Sequence, residues 1–308
     1  MKHDKVTIAI VIPNYNDVET LPRSIQSAIN QVPKPDEIII VDDCSTDTSF
    51  EVANKFKNDC KEVRLIRNRE NIGVMKTLNI GLNEVVSDYV LFLSANDYLL
   101  NGIVQSAKNS LREKKIGIWS ALIFKEKKSP YPSPVVLKKG GYIPPERCIV
   151  NLNRVGSWFT GTTMFLNVKA LKELGGFNDK LHGFADMYAA MIISAKYGAF
   201  FEPHPYGVAT AHPGGLLEGT LLKRGILESS IKLMVEDGLI KCPKLFTNSY
   251  INKHTKRLEF SAGKARLKAG RFRVVQAILL FIKLRLAEVI PFIYYRYCVR
   301  LRGSRGEL

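Results

Sequence analysis

The sequence predicts an α/β fold: a mostly parallel sheet flanked by helices, followed by a helical, basic C-terminal extension. Three observations carry that expectation. Four short apolar runs in the first hundred residues alternate with helix-periodic segments of ten or more residues. Each apolar run is continuous rather than alternating, as in strands buried on both faces. The composition, 46% hydrophobic and 24% charged over 308 residues, is globular and leaves enough chain for one large domain or two modest ones.

The elements come in a regular order. Residues 6–12 form an apolar, β-branched run that stops at Pro13-Asn14. A helical pattern over about 20–30 leads to a second run, 37–41, which stops at Asp42-Asp43. Helical segments near 48–59 and 74–86 bracket a third run at 63–66, and a fourth at 89–93 stops at Ser94. In such sheets ligands bind beyond the carboxyl ends of the strands. Two of those ends are polar: Asp42, Asp43, Ser45, Thr46 and Asp47 after the second run, and Ser94, Asn96 and Asp97 after the fourth. Such residues also serve as turn and cap formers, but two acidic clusters at one sheet edge favour a site. Neither GxxxxGK[ST] nor GxGxxG follows the first run, so P-loop and ordinary dinucleotide-binding chemistry fit poorly.

The five cysteines are scattered and contain no CxxC pair, which argues against a disulfide framework or a zinc cluster. The N-terminal apolar run is too short for a signal-peptide core, and no uncharged run approaches a membrane span. A reducing, cytoplasmic setting is expected. The net charge is +16, and from Lys264 onward eleven Lys and Arg face only Glu288 and Glu307, so this end carries +9 of it. A nucleic-acid binder would carry the charge on its folded body, so no nucleic-acid partner is expected.

Six segments in a fixed order resemble the family 2 glycosyltransferases: VIPNYN from Val11, IVDDCSTD from Ile40, NRENIGVMKTLNIG from Asn68, LFLSANDY from Leu91, TGTTMF from Thr160 and LGGFN from Leu174. The resemblance runs through most of the first 215 residues. It implies a GT-A type, Rossmann-like domain over 1–215, with a nucleotide-sugar half at about 1–100 and an acceptor half at about 101–215. It also implies inverting transfer from a nucleotide diphosphate sugar to a hydroxyl of a saccharide or lipid-linked acceptor, in surface polysaccharide or glycolipid synthesis. Pro13 and Tyr15 would wall the base, Asp42 would accept from the base N–H, Asp43 would lie nearer the ribose, and Asn96 would complete the nucleotide-binding set.

In the family the segment after the fourth strand holds a divalent cation, manganese or magnesium, against the diphosphate. Here that segment is Ser94-Ala95-Asn96-Asp97, so only Asp97 keeps a carboxylate and a weakened metal site is expected there. His212, before Pro213-Gly214, is a second candidate ligand, although such a histidine is more often structural. Asp186 occupies the position of the family's general base, with Ala185 in place of the usual preceding acid. Asp179 competes with it but suits a turn. Lys76 and Arg67 could reach phosphate but read mainly as solvated charges.

Beyond about 216 the resemblance fades into a helical basic region, 216–308, with helices expected over 216–239 and 252–267. Residues 271–302 mix long aliphatics and aromatics with Arg and Lys, and Tyr294, Tyr295 and Tyr297 add interfacial anchors. This pattern favours peripheral association with an anionic membrane surface, on its inner face, over a merely solvated helix pair. The thinned acid set keeps one alternative in view: a non-catalytic relative that binds nucleotide sugars within a glycan-assembly complex.

Overall fold

A computed structural model describes residues 5–112, 116–126, 128–130, 137, 139–210 and 215–269. The first part alternates as the sequence predicts: β1 (Ile8–Asn14), α1 (Leu21–Ile29), β2 (Glu37–Asp42), α2 (Ser49–Asp59), β3 (Val63–Arg67), α3 (Val74–Glu84) and β4 (Tyr89–Phe92). The second part carries β5 (Tyr98–Leu99), α4 (Ile103–Leu111), β6 (Ile118–Lys125), β7 (Lys128–Pro130), β8 (Gly141–Ile143) and α5 (Pro145–Val155). A 3-10 turn (Gly161–Thr163) then leads to β9 (Met164–Asn167), α6 (Val168–Leu174), a second 3-10 segment (Asp179–Phe184), α7 (Ala185–Tyr197) and β10 (Ala199–Ala209). Three helices complete the order: α8 (Leu216–Leu222), α9 (Arg224–Lys241) and α10 (Asn248–Lys268).

One sheet joins both parts in the order β3-β2-β1-β4-β9-β6-β10-β5. The first four of these strands are parallel to one another. Strand β9 is reversed between β4 and β6, and β6 and β10 resume the common direction. The short strands β5, β7 and β8 are antiparallel to their neighbours. The architecture is thus the mixed, mostly parallel α/β sheet expected, with a reversed strand that apolar runs alone do not reveal.

Strand β1 extends two residues past the apolar run, pairing Pro13 with Val41 and Asn14 with Asp42. Its ladder with β4 ends at Val11, so the chain can carry a proline without an N–H on that open side. One core, containing Ala9, Val11, Ile39 and Val41, meets α3; the other, containing Ile8, Ile10, Ile38 and Ile40, meets α1. Helix α3 lies unusually close to the sheet. A Cβ on Gly81 would stand 2.4 Å from Val11 Cγ1, so only glycine allows that approach.

The expected helix over 216–239 breaks at Lys223 into α8 and α9, and α10 starts earlier than its periodicity suggests. Helices α9 and α10 share the larger core through Leu227, Met234, Tyr250 and Leu258, and the turn between them adds Phe246. Buried Arg257 on α10 donates to the carbonyls of Leu152, Asn153 and Arg154 at 3.1, 2.7 and 3.1 Å, capping the C-terminus of α5 with a cation. Tyr188 on α7 donates to Asp237 on α9 at 2.6 Å. Among the described residues no helix is long and apolar enough to cross a membrane.

One turn before Arg257, His254 is buried and stacks on Tyr250 at 5.2 Å, and neither ring nitrogen has a hydrogen-bond partner among the described residues. Burial, and then the charge of Arg257, pull its pKa down to about 4. A depressed histidine pKa favours the neutral ring in the fold. At pH 7 both folded and unfolded chains hold it neutral, so it costs nothing. Below the unfolded value of about 6.5 the unfolded chain takes up a proton that the fold refuses. Stability is therefore lost as pH falls from about 6.5 towards 4, by up to about 1.4 kcal/mol per pH unit from this group. Urea unfolding of His254→Phe at pH 7 and pH 5 should show a smaller acid loss than the parent; an equal loss would show that His254 carries no part of it.

Candidate active site

The parallel strands bring β1, β2 and β3 to one edge with their carboxyl ends together. Asn14 and Asp42 are register partners there, and both are buried. The Asp42 carboxylate is 0% exposed. Its Oδ1 accepts from Asn14 Nδ2 at 2.7 Å and from the Ser45 hydroxyl at 2.6 Å, and its Oδ2 accepts from Ser45 N at 3.1 Å. Arg67 Nε lies 3.5 Å from Oδ2. Burying an anion this fully is tolerable because donors replace its water. Asp42, expected to meet a base N–H, has three chain donors on its two oxygens.

Asp43, next along the chain, is 3% exposed. Its Oδ1 accepts from Asn68 Nδ2 at 2.8 Å and Ile72 N at 3.0 Å, and its Oδ2 accepts from Gly73 N at 2.9 Å. Gly73 has φ +87°, and it delivers its N–H just before α3 begins. The carboxylate therefore fixes the segment leading into α3, whose approach Gly81 permits.

Above this pair, Pro13 is half-buried and Tyr15 is 44% exposed. Asn16 adopts φ +56°, a conformation asparagine tolerates better than most residues. Its Oδ1 accepts from Thr46 N at 2.8 Å and Asp47 N at 3.3 Å, and its own N–H donates to the Ser45 hydroxyl at 3.0 Å. The turn after β1 and the loop after β2 are thereby laced together, leaving an exposed tyrosine ring beside a rigid, polar floor.

The segment after β4 alternates strictly. Ser94 is exposed and Asn96 half-buried, whereas Ala95 and Asp97 are buried. Asp97, 7% exposed, accepts from the Thr162 hydroxyl at 2.6 Å through Oδ2 and from Thr210 N at 2.9 Å through Oδ1. Burial raises its pKa above the ordinary carboxylate value. Arg23 on α1 braces the same segment. It donates to the Asn96 carbonyl at 3.2 Å and the Thr210 hydroxyl at 3.1 Å, pairs with Glu126 at 3.0 Å and lies over the Tyr98 ring.

Thr162 belongs to the 3-10 turn whose Gly161 borders Asp186: a Cβ on Gly161 would lie 3.4 Å from Asp186 Oδ2. Asp186 sits in the first turn of α7, and its Oδ1 accepts from Met187 N at 2.7 Å. Burial raises its pKa. Ala185 is buried in the larger core. A chain of contacts thus runs from Asp97 through the 3-10 turn to Asp186.

The other candidates fall elsewhere. Asp179 pairs with Lys76 at 3.9 Å. Arg67 donates to the Ser45 carbonyl at 3.1 Å and lies over the Phe50 ring, so it braces the loop after β2. His212 lies outside the described residues, as does the basic segment 271–302. A divalent cation against a diphosphate takes hard oxygen ligands, and carboxylates bind it best. Asp97 has both oxygens engaged, Ser94 and Asn96 are neutral, and no group of three His, Cys, Asp or Glu among the described residues could hold a metal. The donors in place do not fit such an ion.

Sequence reasoning missed the donors. Asn14, Asn68, Thr162 and Arg23 complete the site, yet each looks like an ordinary polar residue; Ser45 stood in the expected polar cluster, without its role as a donor to Asp42. Asn14 had one signal: a polar residue on the inward phase of an apolar strand, directly opposite Asp42.

Comparison with known proteins identifies the family and the fold. Residues 9–175, more than half of the chain, match the model of glycosyl transferase family 2, and the chain belongs to that family. An uncharacterized glycosyltransferase of Haemophilus influenzae is 33% identical over 109 residues, which cover 35% of this chain and 44% of that protein. The UDP-Glc:alpha-D-GlcNAc-diphosphoundecaprenol beta-1,3-glucosyltransferase WfaP of Escherichia coli is 29% identical over 109 residues, 35% of this chain and 43% of that protein. The chain thus spans less than half the length of these curated relatives. Residues 1–349 of TarS from S. aureus, solved in complex with UDP-GlcNAc, superpose with a TM-score of 0.66 at 14% identity, covering 98% of this chain and 92% of that one. That likeness shows the fold.

The donors around Asp42 make its replacement costly. In Asp42→Asn, an amide N–H would face Asn14, Ser45 N or the Ser45 hydroxyl, leaving at least one buried donor unmatched. A loss of about 2–3 kcal/mol is expected. Arg67→Met removes a half-exposed partner at 3.5 Å together with the hydrogen bond to the Ser45 carbonyl and the contact on the Phe50 ring, and should cost about 1 kcal/mol. Denaturant unfolding of the two variants measures both; comparable losses would contradict this ranking.

Proposed function

We propose that the chain is an inverting glycosyltransferase that moves a sugar from a nucleotide diphosphate sugar to a hydroxyl of a saccharide or lipid-linked acceptor. The observation that carries this reading is the joining of two sites at one sheet edge. The laced floor of Asp42 and Asp43 under exposed Tyr15 is connected, through Asp97 and Thr162, to Asp186 with one oxygen free of chain hydrogen bonds among the described residues. The family match and the solved relative that binds UDP-GlcNAc support it.

In this reading Pro13 and Tyr15 wall the base, Asp43 and Asn68 offer the polar edge at base and ribose, and Asp42 holds that floor rigid. The acceptor hydroxyl attacks the anomeric carbon from the face opposite the diphosphate. Its oxygen forms the new glycosidic bond, the bond from the anomeric carbon to phosphate oxygen breaks, and the electron pair leaves with the nucleotide diphosphate. The acceptor proton passes to Asp186 Oδ2, because Oδ1 is held by Met187 N. The N-terminal position in α7 steadies the carboxylate near the helix dipole, while burial raises its basicity.

The relative whose name specifies an undecaprenol-linked acceptor supports a role in surface glycan synthesis. The basic, apolar segment 271–302 supports peripheral association with the inner face of an anionic membrane. Full-length protein should sediment with phosphatidylglycerol vesicles at low salt and release at high salt; indifference to vesicle charge would count against the membrane reading.

Asp186→Asn should bind nucleotide within about threefold of the parent and lose about 10²- to 10⁴-fold in transfer rate. A base must be ionised, and burial raises the pH at which Asp186 takes a proton. The parent's rate should therefore fall with acid at higher pH than an ordinary aspartate would give, and the residual rate of the variant should lack that limb. Full activity in Asp186→Asn would remove the base assignment. Nucleotide-sugar binding by the parent with no turnover would make the chain a binding protein.

A further inference from the structure

Resting on the reading of this edge as a nucleotide-sugar site, we infer that the chain holds its nucleotide diphosphate by direct hydrogen bonds from Ser94 and Asn96, without a bridging divalent cation. The alternation along the segment after β4 decides which groups face outward. Asp97, its one carboxylate, is turned inward and joined to Thr162 and Thr210. Withdrawing it to ligate a metal would strand the Thr162 hydroxyl and the Thr210 N–H. Those bonds fix the 3-10 turn beside Asp186 and the end of β10, so the fold itself depends on Asp97 staying where it is.

The outward residues have different chemistry. A carboxylate accepts hydrogen bonds only, so beside a diphosphate it repels unless a cation stands between the two anions. A hydroxyl and a primary amide both donate, and they can bond phosphoryl oxygens directly. Among the described residues neither the Ser94 hydroxyl nor the Asn96 side chain is engaged; their backbone carbonyls accept, that of Ser94 from the Ser24 hydroxyl and Asp97 N and that of Asn96 from Arg23. Arg23 holds the Asn96 carbonyl from behind and adds positive potential to the segment. Ser94 and Asn96 carry no negative charge with which to offset the dehydration of a hard cation.

Asn96→Asp tests this with almost no change of volume. Calorimetric titration of a panel of nucleoside diphosphates into the full chain, with a chelator or with manganese, gives the readout. The parent should bind its preferred nucleotide within about threefold under both conditions. Asn96→Asp should lose about tenfold or more in chelator, a change of about 1.4 kcal/mol, and recover when manganese is added. A parent that binds only with manganese would overturn the inference while leaving the nucleotide reading standing. So would an Asn96→Asp variant that binds equally well in chelator. No binding of any nucleoside diphosphate to the parent, with or without manganese, would overturn both.

Discussion

Two adjacent carboxylates buried at the end of one strand are the constraint around which this molecule is arranged. Successive residues of a strand point to opposite faces, so Asp42 and Asp43 must be neutralised by different neighbours. Asp42 draws on Asn14 and Ser45, which ties β1 to the loop after β2. Asp43 draws on Asn68 and the N–H groups of Ile72 and Gly73, which ties β3 to the start of α3. Neither anion could stay in the interior with fewer donors. Satisfying them gives four segments of chain one mutual arrangement, and the proposed donor site is the surface of that arrangement.

The second part of the sheet is organised by a similar device at smaller scale. Reversing β9 between β4 and β6 brings the 3-10 turn Gly161–Thr163 next to the segment after β4. Thr162 can then reach Asp97, and Gly161 lies beside Asp186. One inward carboxylate thereby sets the distance between the two halves of the proposed reaction. Its two hydrogen bonds join the segment after β4 to the 3-10 turn and to the end of β10.

Much of this was legible in the residues before the structure. Continuous apolar runs bounded by Asp, Asn and Ser marked the first four strands, and the order of six short motifs marked the family. Three things were hidden. The direction of β9 depends on long-range pairing, and a four-residue apolar strand reads the same either way. The extension of β1 through Pro13 depends on β4 ending early, which local pattern cannot express. The inward turn of Asp97 depends on Thr162 and Thr210, which lie 65 and 113 residues away in the chain. The C-terminal helices were visible as helices, but their contribution to the larger core rests on tertiary contacts such as Arg257 with the end of α5.

That last contact bears on modularity. The stretch matching the family ends at residue 175, and it would be natural to treat the rest of the chain as an exchangeable appendage. The interactions oppose such a division: the Leu174 carbonyl at the end of α6 accepts from Lys241 of α9, and α5 is closed by a guanidinium from α10. A chimera that kept the matched segment and imported another protein's C-terminal helices would lose the cap on α5 and the lysine contact on Leu174 together. Recombination within such a chain is viable only when these cross-boundary partners travel as a set, so acceptor-side diversity would arise more readily by substitution in place than by shuffling.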